Sequence, residues 1–244
     1  MRILQLNVWT GRVKGALINF LRYNDFDVIC MQEAVWAEKD NDRLQNLFAT
    51  VEQIKKASGL KYELRSSNWY MNVFSDGDKM EQGNVILSRF KIVDEQSKLV
   101  YGKYGAVNSR QDFYDHAYTL QMAKLENGVT IFNHHGYWRP NPIGDKTTIK
   151  VMRKVGEIVR EAKGPVIVCG DFNIIHDSPA MRELDFLEDL TEKYGVKTTL
   201  TSLKLKKKVA CDHILVNNEV KVKDFKVLDN LVSDHTPLVA EVEV

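Results

Sequence analysis

The stretch that decides the fold is Ser233-Asp234-His235-Thr236-Pro237-Leu238, near the end of the chain. An adjacent aspartate and histidine, followed by proline and an alternating run to Val244, predict a loop that leads into a β-strand. Four other segments also carry polar residues directly after an apolar strand. They are Leu4-Gln5-Leu6-Asn7, Val28-Ile29-Cys30-Met31-Gln32-Glu33, Ile131-Phe132-Asn133-His134-His135 and Val166-Ile167-Val168-Cys169-Gly170-Asp171-Phe172-Asn173. Polar groups at strand ends can converge on one rim of a sheet, where ligands bind.

The bulk composition is that of an ordinary globular protein. The chain has 244 residues, of which 44% are hydrophobic and 27% charged. Its formal charge is +1, from 34 basic and 33 acidic residues, which argues against coating long nucleic acid by charge alone. Because no linker, repeat or low-complexity stretch interrupts the chain, we predict a single domain over residues 1–244.

Three cysteines, Cys30, Cys169 and Cys211, lie in or beside apolar strands. Their odd number and wide spacing give neither a disulfide framework nor a zinc ligand pattern, so we expect buried free thiols and a reducing compartment. No charged and apolar leader precedes the first strand, and no apolar run approaches membrane-spanning length. We therefore predict a cytoplasmic protein without a membrane span.

The order of predicted elements indicates an α/β fold built from two sheets. Helical periodicity is found around 17–21, 40–58, 146–162 and 179–189. Between the second and third of these lie predicted strands at about 61–67, 70–75, 83–88, 91–101, 116–126 and 128–134. Neither strict βαβ repetition nor an all-β meander fits this order. Two mostly antiparallel sheets packed face to face, with helices on their outer faces, do fit it.

Glu33 is the best candidate for a metal ligand. It directly follows a fully apolar strand, where a carboxylate near the core needs a partner such as a cation. The alternative is a solvent-exposed strand end. Mg²⁺, with Mn²⁺ as a plausible substitute, is favoured over Zn²⁺ because the sequence shows no Cys/His ligand cluster.

Asp171 and Asn173 flank Phe172 after a similar buried strand. If the loop stays extended, the two polar side chains point the same way and Phe172 points back. A carboxylate base and an amide donor would then face one phosphate. The alternative is an ordinary Asx turn.

His135 and His235 are the acid/base candidates, because imidazole titrates near neutrality and an adjacent carboxylate can hold it. His134 should point to the opposite face of its strand. His116, His176 and His213 have no comparable context.

Taken in order along the chain, these motifs resemble the endonuclease/exonuclease/phosphatase superfamily. The set is Asn7, Gln32-Glu33, Gly83 with Ile86-Leu87-Ser88-Arg89, Asn133 with His135, Gly170-Asp171-Phe172-Asn173, Cys211-Asp212-His213-Ile214-Leu215 and Ser233-Asp234-His235. The resemblance implies a four-layer α/β sandwich and Mg²⁺-dependent hydrolysis of phosphate esters. It also implies that Glu33 is the principal metal ligand, with Asn7 and Asp234 as its neighbours.

The same resemblance implies roles for five further residues. Asp171 and Asn173 correspond to the pair that orients water and phosphate. His235 corresponds to the residue that polarises the phosphate or acts as the base. His135 is similar to a histidine that some members use near the leaving group, and Asp212 to an aspartate that contacts an active-site histidine.

The substrate is less constrained. Val209-Ala210-Cys211 stands where abasic-site endonucleases have arginine and an aliphatic residue, and His135 stands where they often have tyrosine. Tyr137, Trp138 and Arg139 could stack on a ring and clamp a phosphate, or form a packed loop. The Lys204-Leu205-Lys206-Lys207-Lys208 run is either a phosphate-contacting rim or a solvated loop.

We therefore expect a nuclease that cleaves phosphodiester bonds of DNA or RNA, with no protein partner. One alternative is a phosphodiesterase of a small molecule or phospholipid headgroup, similar to a sphingomyelinase. Another is a catalytically dead binding module on the same fold.

Overall fold

A computed structural model of the chain describes residues 1–37, 41–73, 78–204 and 208–244. The strands in these ranges are β1 (Arg2–Asn7), β2 (Val28–Trp36), β3 (Tyr62–Met71), β4 (Met80–Ser88), β5 (Ile92–Tyr101), β6 (Tyr118–Leu125), β7 (Thr130–His135), β8 (Val166–Asp171), β9 (Glu188–Asp189), β10 (Asp212–Val216), β11 (Lys221–Val227) and β12 (Leu238–Glu243). The helices are α1 (Lys14–Tyr23), α2 (Asp42–Leu47), α3 (Val51–Ser58), α4 (Arg110–Asp115), α5 (Lys146–Arg160) and α6 (Leu190–Lys193), with short 3₁₀ turns at 9–11, 179–184 and 202–204. None of the described helices has the length and apolar character needed to cross a membrane.

The strands form two six-stranded sheets. Their orders are β11-β12-β1-β2-β4-β3 and β5-β6-β7-β8-β10-β9. Each sheet has one parallel pair, β1 with β2 and β7 with β8, and its other pairs are antiparallel. The register sets Asn7 beside Gln32 in the first sheet and His135 beside Asp171 in the second. The polar strand ends of both sheets therefore meet at one rim.

The two sheets pack face to face and helices cover their outer faces, so the predicted sandwich is confirmed. Alternate residues of each strand point to opposite sides, as the pleat requires. Inward-facing residues of both sheets form one apolar cluster, which includes Ile3, Val28, Cys30, Ile86, Ile131, Ile167, Cys169 and Ile214. A second cluster joins the first sheet to α1 and α3, and a third joins the second sheet to α5. All three cysteines are buried and free, as predicted.

Several predicted elements differ from the structure in their bounds. The helix predicted over 40–58 is two helices, because the Thr50 side chain caps the backbone N–H of Gln53 and starts α3 separately. The strands predicted at 61–67 and 70–75 are one strand, β3, with a bulge between Ser67 and Trp69. Residues 40, 74 and 75 of these predictions lie outside the described residues. The helix predicted at 179–189 is a 3₁₀ turn over 179–184, and α4 was not predicted.

Candidate active site

A cavity of about 570 Å³ opens at the rim where the polar strand ends meet. Its floor is polar and includes Glu33, His135, Asp171, Asn173 and His235. Its walls are aromatic, from Trp9, Trp69, Phe113, Tyr118 and Trp138. A polar floor beneath aromatic walls suits a ligand with a charged end and a ring-shaped body.

Backbone strain is concentrated at this cavity. In the described part of the chain, four residues other than glycine have positive φ: Trp9 at 47°, Thr10 at 60°, Glu33 at 55° and Asn173 at 57°. All four line the cavity. Each such conformation costs on the order of 1–3 kcal/mol and persists only where the surrounding structure enforces it. This coincidence makes the cavity the candidate functional site independently of any motif.

Glu33 enters the cavity because β2 is irregular at that point. The pairing of β2 with β4 shifts between Met31 and Ala34, and the left-handed Glu33 lies in the shift. The Asn7 amide nitrogen donates to Glu33 Oε1 and to Asp171 Oδ2, both at 3.0 Å. The Asn7 oxygen instead accepts from the Trp9 N–H at 2.9 Å. Because the amide nitrogen faces the two carboxylates, the amide would have to turn over for its oxygen to join them around a metal.

Asp171 and Asn173 both line the cavity, but not through an extended loop. The alternative, an Asx turn, is what the structure shows, because Asn173 is left-handed and its N–H donates to Asp171 Oδ1 at 3.0 Å. Phe172 is buried behind them, as expected. The Asn173 side chain donates to the Gly136 carbonyl at 3.1 Å. A Cβ at Gly136 would lie 2.2 Å from the Phe172 oxygen, so only glycine permits this approach of the two loops.

His235 is held by Asp212 and presents its other nitrogen to the cavity. Its Nδ1 donates to Asp212 Oδ2 at 2.8 Å, and its Nε2 lies 3.7 Å from Asp171 Oδ2. Burial alone would lower the pKa of His235, but the charges of Asp212, Asp171 and Asp234 raise it to about 10. The ring is therefore an imidazolium at neutral pH, with an Nε2–H available for donation.

Asp171 titrates in the opposite sense. Burial alone would raise its pKa, but the charges of His235 and His135 and hydrogen bonds from Asn7 and Asn173 lower it below the ordinary value. The His135 Nε2 lies 3.7 Å from Asp171 Oδ2 and 4.0 Å from Glu33 Oε1. An ionised carboxylate thus lies between two imidazole rings.

The donor set at the rim fits a hard divalent cation. The Lys204 ammonium forms an ion pair with the Asp234 carboxylate. Although burial opposes the charge, Asp234, Glu33 and Asp171 raise the pKa of Lys204. An ammonium thus occupies the place where these carboxylates attract a cation. Carboxylate and amide oxygens are the ligands that Mg²⁺ prefers.

A buried amide network supports the floor from behind. The Gln5 and Gln32 side chains exchange two hydrogen bonds, at 2.7 and 2.9 Å, and Gln32 also donates to Asn133 at 2.6 Å. Gln5 Nε2 lies 3.4 Å from the Asp212 carboxylate. The network lies between the two sheets and fixes the positions of the strand ends.

Four predicted site residues do not line the cavity: Asn7, Asp212 and Asp234 lie behind its floor, and Tyr137 is packed in the core. Tyr137 is 2% exposed and packs edge-on against Tyr101 and Tyr118, at 4.8 and 5.2 Å between ring centroids. Direct stacking of a substrate on Tyr137 is therefore excluded. Trp138 and Arg139 do line the cavity, and Arg139 lies over the Tyr137 ring at 4.1 Å.

Apart from Trp138, the aromatic walls were not predicted, and neither was His116. His116 lines the cavity, stacks on Tyr118 at 4.3 Å, and contacts the Ala117 carbonyl through Nδ1 at 2.8 Å. Burial lowers its pKa to about 4, so the ring is neutral. Nothing in the local sequence distinguishes His116 from a core histidine. His134 is buried on the opposite face of β7, with Nδ1 3.0 Å from the Thr119 carbonyl, as predicted.

Of the lysine run, Leu205, Lys206 and Lys207 lie outside the described residues. The sequence shows no cluster of cysteine and histidine ligands, but the fold brings one cysteine and one histidine together with two aspartates. The side chains of Asp171, Cys211, Asp212 and His235 place one ligand atom each within 4.8 Å of one another. Sequence spacing did not reveal this group because its members come from three separate segments, around Asp171, Cys211-Asp212 and His235.

The sandwich and the rim of carboxylates and histidines define the class of endonuclease/exonuclease/phosphatase-like hydrolases. The sequence model described as the Endonuclease/Exonuclease/phosphatase family matches residues 4–235. The chain belongs to this family. No curated protein sequence matches it.

Solved structures share the fold over the whole chain. An endonuclease/exonuclease/phosphatase from Bacteroides vulgatus has a TM-score of 0.70 at 15% identity, covering 100% of this chain and 98% of its own. A mannosyl-6-phosphatase from Bacteroides thetaiotaomicron VPI-5482 has a TM-score of 0.68 at 19% identity, covering 100% of both chains. The human Nocturnin catalytic domain with bound sulfate has a TM-score of 0.66 at 16% identity, covering 100% and 93%. At these identities the likeness concerns the fold alone.

Proposed function

We propose that this protein is a divalent-metal-dependent phosphoesterase. The observation that carries the proposal is the pairing of Asp171 and His235. Their facing atoms lie 3.7 Å apart, and their pKa values are displaced in opposite directions. An ionised carboxylate beside an imidazolium supplies an acceptor and a donor at one point.

Glu33 and Asp234 are the residues proposed to hold the metal, with Asn7 joining them once its amide turns over. Mg²⁺ is the proposed ion and Mn²⁺ its substitute, because the donors are oxygens. When bound, the metal neutralises charge on the phosphoryl oxygens.

The protein side chains supply the proton chemistry in this proposal. Asp171 accepts the proton of the attacking water, and Asn173 positions that water and the phosphate. His235 donates its Nε2–H to a phosphate oxygen. Asp212 accepts the Nδ1–H of His235 and so holds the ring in this orientation. Sequence reasoning left His235 as either base or polarising donor. Its raised pKa favours the donor role. His135, next to Asp171 and Glu33, is proposed to act near the leaving group.

We further propose a nucleic-acid substrate, cleaved in a single-stranded region or at a strand end. The support is the aromatic wall of Trp9, Trp69 and Trp138, because unstacked bases stack on such rings. Arg12 and Lys204 also line the cavity and offer positive charge to the backbone. Paired bases inside a duplex cannot enter a cavity of this kind.

A small ring-bearing phosphoester is the second candidate. The volume of about 570 Å³ lies in the range of small-ligand sites, and a net charge of +1 provides little attraction for long polyanions. Sugar phosphates and free nucleotides both have the required ring and phosphate. A phospholipid headgroup also offers a phosphodiester, and the quaternary ammonium of a choline headgroup can contact aromatic walls through cation–π interactions.

The reaction class is tested with bis-p-nitrophenyl phosphate and p-nitrophenyl phosphate. We expect hydrolysis with Mg²⁺ and none after addition of EDTA. Activity that persists in EDTA contradicts the metal assignment. If neither ester is hydrolysed, nor any member of the panel below, the catalytically dead binding module becomes the better interpretation.

The substrate is tested with a panel of single-stranded DNA, duplex DNA with and without an abasic site, RNA, sphingomyelin, mononucleotides and hexose phosphates. We expect single strands to be cleaved faster than duplexes, and Trp138→Ala to reduce this preference. The exposed Tyr23→Ala, 85% exposed on α1, is the matched aromatic control and should change nothing. Hydrolysis of hexose phosphates alone would select the second candidate.

A further inference from the structure

Cys211 is a cavity residue that the proposed reaction does not use. It precedes Asp212 at the start of β10, lines the cavity and is 5% exposed. Its ligand atom lies within 4.8 Å of those of Asp171, Asp212 and His235. A thiol among hard oxygen and nitrogen donors has no role in phosphate chemistry with Mg²⁺.

The backbone of Cys211 is held firmly in place. Its N–H donates to Thr199 Oγ1 at 3.1 Å, and its carbonyl accepts from the Phe172 N–H at 2.8 Å. The sulfur lies 3.7 Å from Asp212 Oδ2 and 3.8 Å from Thr199 Oγ1. The thiol is thus fixed at the edge of the floor.

Asp212 is already committed to other groups. Its Oδ2 accepts from His235 Nδ1 at 2.8 Å and also from the Thr199 hydroxyl. The Asp171 oxygens also accept hydrogen bonds, from Asn7 Nδ2 and the Asn173 N–H, but Asp171 lines the cavity, which Asp212 does not, and its Oδ2 lies 3.7 Å from His235 Nε2. The Cys211 sulfur, this Asp171 oxygen and His235 Nε2 are therefore the donors that face a cation in the cavity. A carboxylate on the far nitrogen of a histidine is the arrangement that orients zinc-binding imidazoles in proteins.

We propose that Asp171, Cys211 and His235 form a second cation site, which takes thiophilic divalent ions of the Zn²⁺ class and blocks the reaction when filled. Soft thiolate and imidazole ligands select such ions over Mg²⁺. On binding, the thiol and the His235 Nε2–H each release a proton to solvent, the three donor atoms coordinate the ion, and nothing is oxidised or reduced.

The blocking effect rests on the proposed function, because it follows from the roles of Asp171 and His235. An ion on Asp171 removes the acceptor for the attacking water, and an ion on His235 Nε2 removes the donor to phosphate. The oxygen site of Glu33 and Asp234 stays available to Mg²⁺. Zinc would therefore inhibit without being displaced by excess Mg²⁺.

The test uses Co²⁺, a spectroscopic substitute for Zn²⁺, added to the full-length protein in saturating Mg²⁺. We expect a sulfur-to-cobalt charge-transfer band that Zn²⁺ abolishes by displacement. Cys211→Ser should abolish the band and weaken Zn²⁺ binding in calorimetry by roughly 100-fold or more, since losing even an outer-shell partner of a metal site costs about 10–100-fold. Cys169→Ala, which removes a buried core thiol, is the matched control and should keep the band.

The outcomes separate this inference from the proposed function. A band in wild type that survives in Cys211→Ser overturns the cation site, as does the absence of any band. If circular dichroism shows that Cys211→Ser does not fold, Cys211→Ala replaces it and should also lack the band. A Cys30→Ala/Cys169→Ala double variant, which retains only Cys211, should keep the band. A band that depends on Cys211 in a protein inactive on every ester would support the cation site while sinking the proposed function.

Discussion

Of the three Asp-His dipeptides in the sequence, Asp212-His213 and Asp234-His235 both adjoin a strand of the sandwich but have different roles in the structure. Their pairing is crossed, because His235 bonds to Asp212 while His213 bonds to Asp189 at 2.8 Å. The second nitrogen of His213 lies 3.0 Å from the Ile174 carbonyl, so both of its nitrogens face acceptors. The second nitrogen of His235 faces the cavity instead.

The number of committed nitrogens decides what each histidine can do. His213 is fully buried, and its ring stacks on Phe172 at 5.4 Å. Although burial opposes the charge, Asp189 raises the pKa of His213, and two acceptors require both N–H groups. His213 therefore joins β10 to the loops around it, whereas His235 keeps one N–H for chemistry. Sequence context alone cannot separate the two cases.

The largest expected effect is the loss of turnover when Asp171 or His235, the facing pair in the cavity, is replaced. His235→Ala and Asp171→Asn should each lower kcat by roughly 100-fold or more, the scale of losing a general base or a preorganised charge. Single-turnover assays at saturating Mg²⁺ measure this effect. Circular dichroism should show an intact fold in both variants.

Glu33→Gln provides the contrast within the cavity. It should weaken Mg²⁺ binding, so that raising Mg²⁺ restores part of the rate. If higher Mg²⁺ also rescued Asp171→Asn to the same extent, the separation of metal-holding and proton-transfer roles would fail.

For the buried ion pair of Asp189 and His213, the expected effect of a substitution is on the stability of the fold. Asp189→Asn leaves a buried imidazolium without its counter-ion and should lower the free energy of unfolding by about 3–5 kcal/mol. Urea unfolding measures this change, and kcat per folded molecule should stay near that of wild type. The matched control is His176→Gln, because His176 also contacts Asp189, at 3.2 Å, but its side chain is 37% exposed. Loss of this exposed contact should lower the free energy of unfolding far less. A large loss of kcat in Asp189→Asn would show that the Asp189–His213 pair also serves catalysis, and would contradict its assignment to stability alone.

The pH dependence of stability follows from the same pairs. Both histidines have folded-state pKa values raised above 6.5, and that of His235 reaches about 10. Their contribution is fully present below the unfolded pKa and is lost as pH rises through the folded pKa. The free energy of unfolding of the metal-free protein should therefore fall between pH 6.5 and about 10.

Asp171 and Asp189 have lowered pKa values and act in the opposite direction. Their contribution is present above the unfolded pKa and is lost as pH falls through the folded value. Urea titrations at several pH values test both limbs. Asp212→Asn should flatten the alkaline limb, and an unchanged slope in that variant would contradict the raised pKa of His235.

The sequence predicted those site residues whose position depends only on the alternation of side chains along a strand. Asn7, His135 and Asp171 end parallel strands, and the pleat determines which face each side chain takes. The left-handed backbone of Glu33 and Asn173 could not be predicted, because distant contacts enforce it. The partner of His213 was equally hidden, since Asp189 lies 24 residues away on a two-residue strand.

The smallest expected effect is on Mg²⁺ affinity and concerns Lys204, whose ammonium forms an ion pair with Asp234 beside His235. A bound divalent cation must share Asp234 with this ammonium, so Lys204→Met should tighten Mg²⁺ binding. The Lys204 side chain is 41% exposed, and such an ion pair contributes up to about 1 kcal/mol, which corresponds to roughly a fivefold lower Kd. Calorimetry with Mg²⁺ and Mn²⁺ measures the change, with the exposed Lys208→Met as the control of equal charge. Weaker Mg²⁺ binding in Lys204→Met than in Lys208→Met would show that Lys204 assists the metal instead of competing with it.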